Sequence, residues 1–268
     1  MTSAPDAGPA AIHAMLGRQI IQLWSHGNLD VVDRMYAADC HDHMPVPGQA
    51  GGRPGLKQAV RLFRDAMPDL ALTLQHTLAR GTPADGWGVD AWTLTGTHTG
   101  AQLFGLPAAG RRVAFAGIDW LRVRGGLVAE LWHVEDMATM ADQLGLATLP
   151  PPQPAPLPGD TLVLAGPADA AVVAAAQARL AGGWRTGSDA GCRALQALAA
   201  TAPDLVVQVA ALLADGALVA ARLVLAGTDS ASGRRFAINA MDVVAPATPA
   251  SQAWHVADHF SRRAQIAG

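Results

Sequence analysis

A chain of 268 residues, half of them hydrophobic, exceeds the usual size of one domain and can bury a substantial core without disulfides, so two domains are expected. A formal charge of -3, with both signs scattered and no basic stripe, gives no footprint for nucleic acid or an anionic membrane and suits a small-molecule partner. The two cysteines, Cys40 and Cys192, share no C-x-x-C spacing, which argues against a disulfide scaffold or thiolate metal site and fits a reducing cytoplasm.

The opening Met-Thr-Ser-Ala-Pro-Asp lacks the charged and apolar regions of a secretory signal, so a cytoplasmic location is the expectation. Ile12, Met15, Leu16, Ile20, Leu23 and Trp24 recur at helical spacing and predict a first helix with one buried face. Asn28 is placed to cap a short second helix through Met35. A third is predicted from Pro54 to Met67, with proline in its first turn and Leu56, Ala59, Val60, Phe63 and Met67 as its apolar stripe.

Strands follow. Leu70, Leu72 and Leu74 alternate with small or polar residues, and 89–98, 113–122 and 127–134 are rich in β-branched and aromatic residues. Helices first and a meandering antiparallel sheet afterwards is an α+β pattern, with helices covering one face of a curved sheet and enclosing a pocket. The run Pro150-Pro-Pro-Gln-Pro-Ala-Pro-Leu-Pro158 cannot donate regular backbone hydrogen bonds and reads as a semi-rigid linker. It divides the chain into a domain at 1–148, a linker at 149–158 and a second domain at 159–268. The apolar stretches 162–180 and 205–225 are interrupted by Pro167, Asp169, Gln208, Asp215 and Arg222, so neither reads as a membrane span.

Signals of the first domain return in the second. Pro68-Asp69-Leu70 is matched by Pro203-Asp204-Leu205, Gly96-Thr97 by Gly227-Thr228, and Gly110-Arg111-Arg112 by Gly233-Arg234-Arg235. Asp119 and Asp242 each lie seven positions beyond the last of these arginines, and Trp132-His133-Val134 is answered by Trp254-His255-Val256. Matches in one order at a long period read as duplication followed by divergence. The second copy has no counterpart for Asp39-Cys40-His41-Asp42-His43, and its last hairpin is replaced by a loop with two prolines at 244–252, so its pocket is expected to be degenerate.

Asp119 shares a strand face with Val113, Phe115, Gly117 and Leu121, so burial should raise its pKa unless a cation lies near. Whether His133 meets it depends on the turn. With Gly125-Gly126 as a two-residue hairpin, Asp119 opposes Trp132 and His133 falls on the other face. With Arg124-Gly125-Gly126 as a three-residue loop closed by a left-handed Gly126, Asp119 opposes Leu131 and His133 is its diagonal neighbour. The three-residue loop is expected. A carboxylate beside an imidazole in an apolar cavity suits a general base, the alternative being a structural ion pair. His98, with Trp92 and Leu94, is placed at the pocket mouth or in a turn bound to backbone. Asp42 and His43 read as pocket lining in a proline-rich loop, where two imidazoles at i and i+2 are a weak metal signal, so no metal is expected. Trp24 and Ala59 either shape the cavity or pack the core. No dinucleotide fingerprint, P-loop or G-x-S-x-G is present in a supporting context, so no cofactor is expected.

Gly52-Arg-Pro-Gly-Leu56, Met67-Pro-Asp-Leu70, Gly96-Thr-His-Thr-Gly100, Leu103-Phe-Gly-Leu-Pro107, Gly110-Arg-Arg112, Ile118-Asp-Trp-Leu-Arg122 and Glu130-Leu-Trp-His-Val-Glu-Asp136 together resemble the SnoaL-like polyketide cyclases, over residues 16–146. The resemblance places the chain in the wider group of nuclear transport factor two and ketosteroid isomerase. It implies a cone-shaped α+β barrel and cofactor-free intramolecular aldol condensation of a small hydrophobic polyketide-like substrate. The family's acid/base aspartate falls on His133 and a pocket histidine on Asp119, as if exchanged, and a pocket glutamine falls on Gly117. The resemblance also implies pairing through sheets, hence an intramolecular pseudo-dimer and possible homo-oligomers. The other classes weighed are a non-catalytic binding protein, an epoxide hydrolase, an isomerase using Tyr36, and a cofactor-free oxygenase.

Overall fold

The computed structural model describes residues 8–146, 155–246 and 253–267. The chain falls into two compact units, Met1–His133 with Met137–Pro150, and Val134–Asp136 with Pro151–Gly268. Each is α+β, with its own five-stranded sheet. Most of the proline-rich run, and residues 247–252 of the second unit's last loop, lie outside the described residues. No helix among the described residues is long and apolar enough to cross a membrane.

In the first unit, α1 (Pro9–Arg18) begins on a proline and buries Ile12, Met15 and Leu16. It runs into a π-helical segment, Gln19–Ser25, which buries Gln19 along with Ile20 and Leu23. That wider turn brings a polar side chain onto the covered face, a placement typical of π-bulges at functional sites. α2 (Asp30–Met35) follows, with Asn28 Oδ1 accepting from the Asp30 amide at 3.2 Å. α3 (Gly52–Ala66) buries Leu56, Ala59, Val60 and Phe63 as expected from the spacing.

The sheet is β2 (Ala71–Gly81), β3 (Asp85–His98), β4 (Arg111–Arg124) and β5 (Leu127–Glu135), an antiparallel meander, closed by β1 (Tyr36–Asp42) lying parallel to β5. The segment Asp39–Asp42, expected in a loop, is therefore part of an edge strand, with Asp42 paired to Leu131. The β4–β5 turn is a second correction. β4 ends at Arg124, β5 starts at Leu127, and Gly125 and Gly126 both have positive φ, 56° and 80°. This is the two-residue turn in which both central residues are left-handed, and two glycines reach it without strain. α4 (Met137–Leu144) then packs on β4.

The second unit has β6 (Leu162–Leu164), α5 (Ala170–Ala181), α6 (Ala190–Thr201), the meander β7 (Val206–Asp215), β8 (Leu218–Thr228), β9 (Arg235–Val244) and β10 (Trp254–Ala257), and α7 (His259–Ala267). The meander order is the same in both units, but β6 lies parallel to β7, at the edge opposite to the one β1 occupies. Shared details accompany the shared order. The register slips between Leu74 and His76 in one unit and between Val209 and Ala211 in the other, each just beyond the Pro-Asp-Leu segment. Asp69 accepts from the Thr97 amide and hydroxyl as Asp204 does from Thr228. Gln143 clasps the Ala114 backbone as Gln265 clasps Ala237.

Gly117 has a packing reason. It faces Trp92 across the β3–β4 ladder, and a Cβ there would lie 2.2 Å from the indole ring. Trp92 is buried and meets Phe115 edge to face at 6.1 Å. Gly117→Ala is expected to destabilise the first unit by about 1–3 kcal/mol through forced repacking. Urea unfolding checks this, and an unchanged midpoint would show that the indole gives way freely.

Candidate active site

The helix-covered face of the first sheet is apolar at both ends. Ile12, Leu16, Leu121, Val123 and Leu131 belong to one buried cluster, and Phe63, Trp92, Leu94, Val113 and Phe115 to another, with Trp24 touching both. Among these apolar residues lies a chain of polar side chains. Asp119 is 5% exposed and Asp90 fully buried, and the two are cross-strand partners in the β3–β4 ladder. Gln19 Nε2 donates to Asp119 Oδ2 at 2.8 Å, and the Tyr36 hydroxyl donates to Gln19 Oε1 at 2.5 Å.

The chain has a polarity. The Gln19 carbonyl accepts the one proton of Tyr36, so its amide must point its hydrogens at Asp119, which is an acceptor. Neither oxygen of Asp90 has a donor. Two ionised carboxylates so close in an apolar interior repel, and a single proton between them resolves the conflict. Burial first, and the charge of Asp119 second, push the Asp90 carboxyl well above its ordinary range. Asp90 is thus the protonated member. Burial and the same charge push the Tyr36 phenol up, so it remains a hydrogen-bond donor rather than a phenolate.

A stability prediction follows from that proton. The unfolded chain releases it above the ordinary carboxyl value of about 3.9, whereas folded Asp90 keeps it, so this residue's contribution falls as pH rises above that value. Asp90→Asn can donate to Asp119 without holding a proton. The variant should match the parent in acid and increasingly exceed it as pH rises, by about 1.4 kcal/mol for each pH unit above the unfolded value until the folded carboxyl itself ionises. A stability difference that does not vary with pH would contradict the shared proton.

His133 lies at the β5 edge. Its Nε2 is 3.0 Å from Asp42 Oδ1, which also accepts from the Met44 amide at 2.9 Å, while Asp42 Oδ2 accepts from Gln49 Nε2 at 2.8 Å. Burial alone would raise the Asp42 carboxyl, but the His133 charge and these hydrogen bonds hold it below its ordinary range. The carboxylate bonded to His133 Nε2 is thus Asp42, supplied by β1, while Asp119 is bonded by Gln19. Val128 and Leu131, three apart on β5, both belong to the covered cluster that includes Tyr36, so the alternation of β5 slips between them and His133 returns to the face of Leu131, the covered face, despite the two-residue turn.

The other residues singled out from sequence are distributed around this centre. Trp24 meets Phe63 edge to face at 6.2 Å, and Ala59 is buried on α3. His98 is buried at the end of β3, with Nε2 bonded to the Ala101 carbonyl at 2.9 Å, a turn histidine held by backbone. His43 stacks on Trp132 at 4.0 Å, and its Nε2 is 3.2 Å from Glu130. Cys40 is buried, which pushes its thiol up to about 12 and leaves it no nucleophile. Among the described residues no group of three or more His, Cys, Asp or Glu is arranged to hold a metal ion. Gln19 and Asp90 are the members of the site that sequence reasoning missed. Gln19 had one signal, a polar residue within an otherwise apolar helical stripe.

Residues 14–144 match the family model of SnoaL-like polyketide cyclases. The N-terminal unit is a SnoaL-like domain. Similar solved structures include TsrD from Streptomyces laurentii, at 25% identity over 51% of this chain and 96% of that one, with a TM-score of 0.45. IdmH from Streptomyces antibioticus is 24% identical over 50% of this chain and 98% of that one, with a TM-score of 0.42. A SnoaL-like polyketide cyclase from Agrobacterium tumefaciens strain C58 is 17% identical over 50% and 98%, with a TM-score of 0.41. No curated protein matches the chain significantly.

Proposed function

We propose that the SnoaL-like domain is a cofactor-independent cyclase, closing a ring in a small hydrophobic polyketide-like substrate by an intramolecular aldol reaction. The observation that carries this reading is the His133–Asp42 pair, at 3.0 Å, on the same covered face as the buried Asp90–Asp119 pair. Because His133 Nε2 faces a carboxylate, its hydrogen is on that nitrogen, and Nδ1 is the basic one.

His133 takes a proton from the carbon between two carbonyls. The C–H electron pair becomes an enolate, and the imidazolium formed is stabilised by Asp42. The enolate carbon attacks a third carbonyl of the same molecule, forming the C–C bond and an alkoxide. The alkoxide takes a proton from the imidazolium, which returns His133 to its neutral form, so no net proton is consumed. The apolar side chains of Trp24, Ala59 and Phe115 exclude water from the enolate, which strengthens each electrostatic contact. Asp119, expected to orient His133, is assigned here to the carboxyl pair.

Isomerisation with Tyr36 as the donor is less well supported, since its hydroxyl proton is already given to Gln19. The test is product analysis by mass spectrometry after incubating the full chain with a linear triketide or longer analogue in the presence of a chelator. A cyclic product of unchanged mass, or one lighter by a water, supports the reading. Unreacted substrate, with tight binding, would favour a carrier instead.

A further inference from the structure

Asp42 ends β1, where the chain leaves the sheet for the connection to α3. A carboxylate turns easily about its last torsion, which has broad and weak preferences, so one that must face His133 has to be held at more than one atom. The connection 43–51 does this. In Val46-Pro47-Gly48-Gln49 the Gln49 amide donates to the Val46 carbonyl at 3.0 Å, and Gly48 is left-handed with φ 80°. Proline at the second position and glycine at the third are what a type II turn asks for. The turn sends the Gln49 side chain back across itself. Its Oε1 accepts from the Val46 amide at 3.1 Å, and its Nε2 donates to Asp42 Oδ2 at 2.8 Å.

The turn is itself fixed to the domain. Gln58, on α3, brackets Gln49 from both sides, with Nε2 donating to the Gly48 carbonyl at 3.2 Å and Oε1 accepting from the Ala50 amide at 3.1 Å. Gly55 lets the Ala50 carbonyl lie against the first turns of α3, since a Cβ there would collide with that oxygen. Val46 packs on the apolar cluster that contains Phe63 and Trp92.

The Gln49 amide has only one workable orientation. The Val46 amide is a donor and the Asp42 carboxylate an acceptor, so turning the side chain over would set like groups against each other at both ends. The oxygens of Asp42 are divided accordingly. Oδ2 goes to Gln49, while Oδ1 takes the Met44 amide at 2.9 Å and His133 Nε2 at 3.0 Å. Met44 alone would hold the carboxylate at one oxygen and leave its plane free to swing. Gln49 holds the other.

We propose that Gln49 is a positioning residue of the active site, which presents Asp42 Oδ1 to His133 and so fixes the pose of the imidazole, a role in catalysis that rests on His133 being the proton acceptor. Gln49 acts through Asp42, and Gln58 acts through Gln49. The Val-Pro-Gly-Gln turn is thus part of the catalytic apparatus rather than a simple connection.

Gln49→Ala in the full chain should lower turnover of the linear triketide analogue about tenfold, the usual worth of one hydrogen bond to a charged group, with KM within a factor of about two. Once Asp42 is alanine, the same change should cost nothing further. Gln58→Ala, an exposed substitution, should give a smaller loss that disappears when Gln49 is alanine. Losses that multiply independently would assign both glutamines to the stability of the connection and overturn the proposal, as would a Gln49→Ala chain working at the parent rate. A second measurement needs no turnover. The His133 Nε2 nitrogen resonance, read by NMR, should move in Gln49→Ala towards its position in Asp42→Ala, and Gln58→Ala should move it the same way should Gln49→Ala fold poorly. A resonance that stays at the parent position overturns the placement. An inactive parent whose resonance still depends on Gln49 upholds the placement and tells against the proposed cyclase instead.

Discussion

Replacing His133 by glutamine should lower cyclisation turnover by about 10²–10⁴-fold, the usual contribution of a positioned proton acceptor. Glutamine keeps a donor for Asp42 and approximates the ring's reach, so the loss would report proton transfer rather than collapse of the β1–β5 edge. Asp42→Asn should cost about tenfold to a hundredfold, in turnover more than in apparent affinity, because the amide no longer stabilises the imidazolium although Gln49 and the Met44 amide remain to place it. Asp42 is held below its ordinary range, with burial opposed by His133 and the hydrogen bonds. It therefore stays ionised while pH falls towards the carboxylate range, and an acidic loss of activity near neutrality would belong to another group. Steady-state rates of both variants across pH check this. A glutamine variant that works at the parent rate would remove His133 from the mechanism.

Arg179→Met in the second unit is expected to cost about 3–5 kcal/mol at neutral pH, because it removes the cation from between the fully buried Asp242 and the half-buried Asp189 and leaves the two carboxylates without it. Burial alone would raise Asp242, and His255 and Arg179 together hold it below its ordinary range. Its ion-pair contribution is present above the unfolded value and is lost as pH falls through the folded one. Without Arg179 the carboxyl would retain a proton, so the gap between parent and variant should narrow as the solution is acidified. Urea unfolding at several pH values measures it. A constant gap would mean that the methionine is simply badly packed, and no gap would mean that the network is incidental to stability.

Much of the architecture is readable from periodicity. α3 follows its apolar stripe, and the meander follows alternation and turn residues. What escaped was set by contacts distant in sequence. β1 reads as loop because Asp39–His43 is polar and prolines follow at 45 and 47, and a parallel edge strand need not show the alternation that marks a hairpin. The π-helical segment departs from ordinary helical spacing for barely a turn, too little to see in a pattern of apolar residues, yet it is what turns Gln19 inward. The Asp42–His133 bond joins positions 91 apart and the Gln19–Asp119 bond positions 100 apart, neither of which local spacing can count. The Asp90–Asp119 pairing was hidden by the long 99–110 connection between β3 and β4, across which register cannot be counted. His133 and Asp119 could be singled out from their strands, and the hydrogen-bond partner of each could not. In the second unit the reverse held: Asp242 and His255 were matched by position to the first copy, but the eroded flanking segments concealed that theirs is the direct pair.

The central claim is that the imidazole of His133, braced by Asp42, removes a proton from carbon. Hydrogen–deuterium exchange at the carbon between two carbonyls of a β-diketone ketide analogue, followed by NMR in deuterated buffer, reads that step without requiring ring closure. The account predicts exchange well above the buffer rate with the parent chain and at the buffer rate with His133→Gln. Exchange that is no faster than buffer with the parent, or equally fast with the variant, would contradict it.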